Sequence, residues 1–332
     1  MPLAVVTGCT GYVGSELCRQ LLKRGFNVRG TVRSIGHERS SQLLNMLKEF
    51  APEGSIDLVE ADLLQTGSFD EACKDADFLF HVASPFVIFV EDQQQQLIDP
   101  AVTGTRNVME AAAKHKHSLK RIVLTSSVAA VHDCHQKQIP KRADGKWSEE
   151  DFNETSTLEG SPPEGYWLSK VLAEKEAWTL AKQHGLDLVI ILPEFVMGPA
   201  LTKAAAETST SAGFMKGFLE APDGKVPEGD WMFSDVRDVA LSHILAAINP
   251  AASGRYIISQ PMSLNARQVT DILKAHLPGI AIPDGKESPI KDNIDNTKVQ
   301  TGLGLEVKPI KSTITDMVDS LISLGFTTPS YK

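Results

Sequence analysis

The chain predicts an α/β fold: a doubly wound parallel sheet with a smaller C-terminal lobe packed against it. Three observations predict it. Short apolar runs alternate with helix-period segments through the first 192 residues, a glycine-spaced turn joins the first run to the first helical segment, and the alternation loosens from Pro193 onward. Strands alternating with helices imply right-handed crossovers, which cover both faces of a parallel sheet.

Residues 3–7 read as a buried strand. The next segment places Val13, Leu17, Cys18, Leu21 and Leu22 on one helical face and stops at Gly25. Residues 28–32 are the second strand, and Ser41 is placed to cap a helix carrying Leu43, Leu44, Leu47 and Phe50. Residues 56–59, 78–82 and 122–125 continue the strand series. Residues 93–96, all glutamine, read as a solvated loop, and Asp99-Pro100 as an N-cap and N1 proline opening a helix to about Lys114. A helix over 166–183 and a strand over 187–192 follow.

Residues 202–230 are rich in Ala, Thr, Ser, Gly and Pro and hold one short helix with Phe214, Met215, Phe218 and Leu219. A helix near 236–247, a strand at 255–259 and helices near 266–277 and 312–324 complete the chain. The expected division is a first domain over residues 1–192, to which 231–260 return, and a smaller lobe from 193–230 and 261–332.

With 42% hydrophobic and 23% charged residues, the composition is that of an ordinary soluble globular protein. A net charge of −9 argues against a nucleic-acid or anionic-membrane partner, which would want a basic face. Cys9, Cys18, Cys73 and Cys134 show neither zinc nor disulfide spacing, which fits a reducing compartment. The N-terminal apolar run is too short for a signal segment, and no stretch is long enough to span a bilayer. A cytoplasmic monomer or homodimer acting on a small molecule is expected.

Thr7-Gly8-Cys9-Thr10-Gly11-Tyr12-Val13-Gly14 lies between a strand and a helix, the context a dinucleotide-binding turn requires. Absent side chains let backbone N–H groups approach a pyrophosphate, and the helix N-terminus adds a favourable dipole. The sheet is therefore expected to be of the Rossmann type. The second strand ends Thr31-Val32-Arg33-Ser34, with no carboxylate there to receive a ribose hydroxyl. Arg33 instead suits a 2′-phosphate through its planar fork, so NADP(H) is the expected cofactor. Tyr166-Trp167-Leu168-Ser169-Lys170 is a YxxxK sequence, and positions four apart share a helix face. A cation beside a phenol favours the phenolate, as proton transfer at neutral pH requires. The strand over 122–125 runs into Ser126-Ser127, hydroxyls at the sheet's carboxyl edge.

In this order, the GxxGxxG turn, Ser127 and YxxxK resemble the extended short-chain dehydrogenase/reductases. The similarity is to the group of dihydroflavonol reductases, cinnamoyl-CoA reductases and yeast methylglyoxal/carbonyl reductases. It extends over nearly the whole chain, including Thr31-Val32-Arg33, residues 99–108, Ala173-Glu174-Lys175 and residues 235–240. The resemblance implies a catalytic set of Ser127, Tyr166 and Lys170, with Lys170 also on the nicotinamide ribose. It implies cofactor contacts from Gly8, Gly11, Tyr12, Val13, Gly14, Arg33, Asp62, Leu63, Val82, Ala83, Ser84 and Thr125. Pro193-Glu194-Phe195-Val196-Met197-Gly198-Pro199 is similar to the family's PxxVxGP stretch, which puts Pro193 and Val196 beside the nicotinamide. Pro85, Phe86, His132 and Phe195 are the substrate-side candidates.

Two departures matter. Flavonoid reductases carry an asparagine five residues after the serine, where this chain has His132, and the cinnamoyl-CoA signature before the tyrosine is absent. The expectation is therefore a broader aldehyde or ketone reductase. The alternatives are a sugar-nucleotide epimerase or steroid-type dehydrogenase of the same fold, or a non-catalytic cofactor-binding sensor. His132-Asp133-Cys134-His135 does not read as a metal site, because adjacent residues point in different directions and rarely close one tetrahedral shell.

Overall fold

Seven parallel strands, ordered β10-β6-β5-β4-β1-β2-β3, make the main sheet among the described residues. In this computed structural model residues 1–50, 55–84, 90–135, 137–159 and 164–331 are described. The first half runs β1 (Leu3–Val6), α1 (Tyr12–Lys23), β2 (Asn27–Val32), α2 (Glu38–Leu47), β3 (Ile56–Glu60), α3 (Asp70–Cys73), β4 (Phe78–His81), α4 (Asp99–Lys114), β5 (Arg121–Thr125), α5 (Gly165–His184) and β6 (Leu188–Pro193). The strand order reverses between β1 and β4, and the crevice at such a switch point is where ligands bind.

Alternation along the strands feeds two cores. Ala4, Val6, Phe80, Val123 and Val189 face one layer with Leu17 and Leu21 of α1 and Leu43 of α2. Val5, Leu79, Ile122, Leu124 and Ile190 face the other, with Val108 of α4 and Val171 and Ala177 of α5. Period-two exposure of apolar residues on both faces is what a sheet sandwiched by helices requires.

Beyond β6 come β7 (Phe195–Met197), α6 (Lys203–Glu207), α7 (Thr210–Glu220), β8 (Asp230–Trp231), β9 (Phe233–Asp235), α8 (Val236–Ile248), β10 (Gly254–Ile258), β11 (Leu264–Asn265), α9 (Ala266–His276), α10 (Thr297–Leu303) and α11 (Ile310–Ser323). β10 joins the edge of the main sheet beside β6, and α8 packs into the first core through Val239 and Ile244. A third core gathers Met215, Phe218 and Leu219 of α7 with Val269 and Leu273 of α9 and Ile314, Met317 and Leu321 of α11.

Three sequence expectations need correction. Ser41 does not cap α2: His37 does, accepting from the Arg39 N–H at 3.2 Å, while Ser41 lies inside the helix and bonds the Glu38 carbonyl. Asp99 is not an N-cap either, because a π-helical turn over Gln94–Ile98 runs directly into α4. The glutamines of that turn are thus not a loop. Pro100, which has no N–H to give, stands at the junction of the π-helical turn and α4. Helices α3, α6 and α10 had no periodicity long enough to register.

A buried ion pair ties α5 to β10. Arg255 Nε lies 2.8 Å from Glu174 Oε1, and both side chains are under a tenth exposed. The Arg255 guanidinium also donates to the carbonyls of Ala130, at 3.0 Å, and of Glu149 and Asp151. Removing one partner leaves an uncompensated buried charge, so Arg255→Met is expected to destabilise the fold by about 3–5 kcal/mol. Adding Glu174→Leu should restore part of the loss. Urea unfolding midpoints check both, and a parent-like midpoint for Arg255→Met would remove the pair's structural role.

Candidate active site

The glycine turn sits between β1 and α1, with Gly11 as the helix N-cap. Gly8 holds φ at +65°, a left-handed conformation that glycine adopts without strain. A Cβ at Gly14 would lie 2.3 Å from the Gly8 carbonyl oxygen, so only glycine lets the turn close this tightly. Val13 is half-buried against the first core. The Tyr12 hydroxyl donates to the Gly198 carbonyl and so ties the turn to the segment after β7. Any cofactor contact from Tyr12 therefore falls to its backbone or ring.

Thr7 organises the end of β4. Its Oγ1 accepts from the Val82 and Ala83 N–H groups at 3.0 and 2.9 Å and lies 3.0 Å from His81 Nδ1. With its lone pairs occupied, the hydroxyl donates its proton to Nδ1, leaving His81 protonated on Nε2. Burial, with the Lys170 charge adding, holds His81 down at about 3, so the ring is neutral. Ser84, just beyond, accepts from Lys170 Nζ at 2.8 Å. Pro85 and Phe86 lie outside the described residues.

Lys170 and Tyr166 project from one face of α5. Glu174 continues that face at the same spacing of four, so one stripe carries a half-buried phenol and a buried ammonium and carboxylate. The Lys170 ammonium is 5.6 Å from the centre of the Tyr166 ring. Burial lowers Lys170 to about 8. It pushes the Tyr166 phenol up to about 12, a hydrogen bond from Ser127 opposing the rise and the Glu194 charge adding to it. Ser127 is extended at the end of β5, where its Oγ accepts from the Ala129 N–H at 3.2 Å. Ser127, Tyr166 and Lys170 thus converge on the carboxyl edge of β4 and β5.

The neighbouring hydroxyls are committed elsewhere. Ser126 donates to Glu174 Oε2 at 2.7 Å. Thr125 Oγ1 is 2.7 Å from His243 Nε2, and His243 Nδ1 is 2.7 Å from the Val239 carbonyl. A carbonyl only accepts, so Nδ1 carries the ring proton and Thr125 donates to Nε2. A direct cofactor contact from Thr125 then falls to its remaining lone pairs or backbone. A small cavity among Leu63, Ser84, Thr125, Ser126 and Lys170 joins these groups.

Asp62 forms an Asx turn after β3, accepting from the Leu64 N–H at 2.9 Å. The Leu63 carbonyl accepts from Asn107. Arg33 is exposed immediately after β2. Glu60, ending β3, reaches the same loop and accepts from the Ile35 N–H at 2.8 Å. Pro193 ends β6 opposite Ile258, and Val196 pairs with Ser234 in the short β7–β9 sheet.

Of the residues expected on the substrate side, His132 has its Nε2 3.9 Å from Glu194 Oε1, and its ring centroid is 5.2 Å from that of Trp147. Burial works to lower His132, but the nearby Glu194 carboxylate and the Asp133 carbonyl outweigh it and the net shift is upward. Phe195 packs on Phe214 and Phe233 at 5.0 and 6.0 Å between centroids. Met215 and Phe218 are fully buried in the third core. Four neighbours of the site were given no role from the sequence: His81, His243, Glu174 and Glu194. Glu174 was detectable as the third residue of the Tyr166 stripe, and Glu194 as a carboxylate directly after an apolar strand. The histidines carry no such mark.

Fold and site together define a nucleotide-dependent enzyme of the Rossmann class. Residues 4–258 match the model of the NAD dependent epimerase/dehydratase family, so the chain belongs to that family, the extended short-chain dehydrogenase/reductases. It is 35% identical over 321 residues to cinnamoyl-CoA reductase CAD2 of Medicago truncatula, covering 95% of this chain and 94% of the relative. It is 31% identical over 340 residues to a putative NADPH-dependent methylglyoxal reductase of Candida albicans, covering 96% and 97%. Among solved structures, Gre2 from Candida albicans in complex with NADPH superposes with a TM-score of 0.84 at 29% identity, covering 98% of this chain and 99% of that one. Among the described residues no helix is long and apolar enough to cross a membrane.

Burial of Lys170 has a measurable consequence. Its value falls from the ordinary 10.5 to about 8, so between these pH values the unfolded chain binds more protons than the folded one. Stability then rises with pH across that window, and the contribution is lost below it. Unfolding of the cofactor-free protein between pH 8 and 10 should show this rise, and Lys170→Met should flatten it. An equal slope in the variant would assign the effect to other groups.

Proposed function

We propose that the protein is an NADPH-dependent reductase of aldehydes and ketones, with Tyr166 exchanging the proton at the carbonyl oxygen. The observation that carries this reading is the convergence of half-buried Ser127 and Tyr166 with buried Lys170 beside the glycine turn. The narrow closure at Gly14 and the open N-terminus of α1 fit a pyrophosphate, and exposed Arg33 fits a 2′-phosphate. Bound there, the nicotinamide would supply the hydride.

The protein's own groups do the rest. Ser127 Oγ and Tyr166 Oη hold the carbonyl oxygen, and Tyr166, neutral at physiological pH, is poised as the donor in the reducing direction. Lys170, still charged at pH 7, stabilises the phenolate that remains and is positioned by Ser84. Residues 193–230 and 261–332 close the substrate side as a smaller lobe. Phe195 and Phe214 offer apolar surface, and His132 with Glu194 offers one polar anchor. Such a pocket favours a largely apolar carbonyl compound bearing a single hydrogen-bonding group.

Tyr166→Phe keeps the ring and removes the proton. Turnover with NADPH and a panel of aldehydes and ketones should fall by on the order of 10²–10⁴, with cofactor affinity retained. Parent-like turnover would exclude the mechanism.

Arg33→Ala tests cofactor choice separately. A charge-assisted contact contributes roughly 1.5–3 kcal/mol, so NADPH affinity should drop about ten- to a hundredfold while NADH affinity holds. Fluorescence titration of both cofactors checks this, and equal losses would remove Arg33 as the discriminator.

A further inference from the structure

Outside the active site, one cluster brings together metal-ligating side chains that the family reaction does not use. Cys134 and His135 come from the loop after β5, and Glu164 from the position preceding α5. Their ligand atoms all lie within 4.8 Å of one another. Cys134 Sγ is 3.2 Å from Glu164 Oε1, and His135 Nε2 is 4.0 Å from the same oxygen. In a tetrahedral zinc site, sulfur, nitrogen and oxygen ligands stand about 3.3–3.5 Å apart, so only a small inward turn of the His135 ring is needed.

The surroundings prepare these groups. Asp133 accepts from the backbone N–H groups of His135, Lys137 and Gln138 at 2.8–3.1 Å and from the Thr155 hydroxyl, winding the loop around its carboxylate. Glu164 is buried, and its two oxygens are divided. Oε2 takes Lys137 Nζ at 2.9 Å and the Thr157 N–H, leaving Oε1 turned to the cysteine and histidine. A ligating carboxylate is commonly oriented in this way by a partner on its other oxygen. Sequence reasoning set a metal aside because His132 to Cys134 and His135 are adjacent. His132 does turn away, toward Glu194, but the fold supplies the third ligand from 29 residues further on.

We propose that Cys134, His135 and Glu164 form a binding site for a borderline-soft divalent cation of the Zn²⁺ type, with water as the fourth ligand. Binding forms a metal–sulfur bond as the Cys134 S–H proton leaves to solvent. Thiolate and imidazole select against Mg²⁺ and Ca²⁺. Because Glu164 stands two residues before Tyr166, an occupied site would pin the 133–138 loop to the start of α5.

The test uses tag-free, chelator-treated full-length protein titrated with ZnCl₂ by calorimetry, with MgCl₂ as control. One equivalent of Zn²⁺ should bind, and Cys134→Ser and His135→Ala should each weaken it at least about tenfold, since even partners behind a ligand cost 10–100-fold. Both side chains are exposed, so the variants should keep the parent melting temperature. Co²⁺ in place of Zn²⁺ should give a thiolate-to-cobalt charge-transfer band that Cys134→Ser abolishes. Absence of a one-equivalent site, affinity unchanged in both variants, or a cobalt complex without the thiolate band would each overturn the proposal. None of these outcomes depends on catalytic activity.

Discussion

Glu174 and Arg255 meet in the interior where α5, β5 and β10 come together. The carboxylate accepts from Ser126 at the end of β5 and from the Trp178 indole on its own helix. The guanidinium gathers carbonyls from Ala130, Glu149 and Asp151. A buried charge pair is a poor source of net stability, but it tolerates little displacement, because any shift strands a charge in a medium of low polarity. Here the pair sits two turns along α5 from Tyr166 and one from Lys170. The stripe of Tyr166, Lys170 and Glu174 is therefore held against the carboxyl edge by an interaction that tolerates little displacement.

That constraint explains the chemistry of the stripe. Holding α5 face-inward desolvates the Lys170 ammonium and the Tyr166 phenol together. Both shift toward their neutral forms, and the remaining hydrogen bonds, to Ser84 and Ser127, decide where each points. Neutral His81 and His243 add dipoles without charge, so Lys170 remains the principal cation at this edge. Preorganised groups of this kind act at developing charge without having to rearrange.

The C-terminal half works by a different logic. Phe195, Phe214, Phe218, Trp231 and Phe233 form one aromatic cluster whose rings meet edge to face, tilted or, for Trp231 and Phe233, stacked. Such packing joins β7, α7, β8 and β9. It also places Glu194, on the bend between β6 and β7, toward His132 rather than into solvent.

By itself the sequence determined the layered α/β architecture, because apolar periods of two and 3.6 leave few ways to bury both faces of a sheet. It also determined the glycine turn and the spacing of Tyr166 and Lys170, which are local geometry: a missing Cβ and a helical repeat of four. What only the tertiary structure decided involves partners distant in the chain. Thr125 meets His243, Glu174 meets Arg255, His132 meets Glu194, and Cys134 and His135 meet Glu164. No periodicity records such pairs, because their positions follow from how separate elements pack. The cap of α2 and the π-helical entry to α4 likewise carry no mark in the sequence, and the π-helical turn packs against α5.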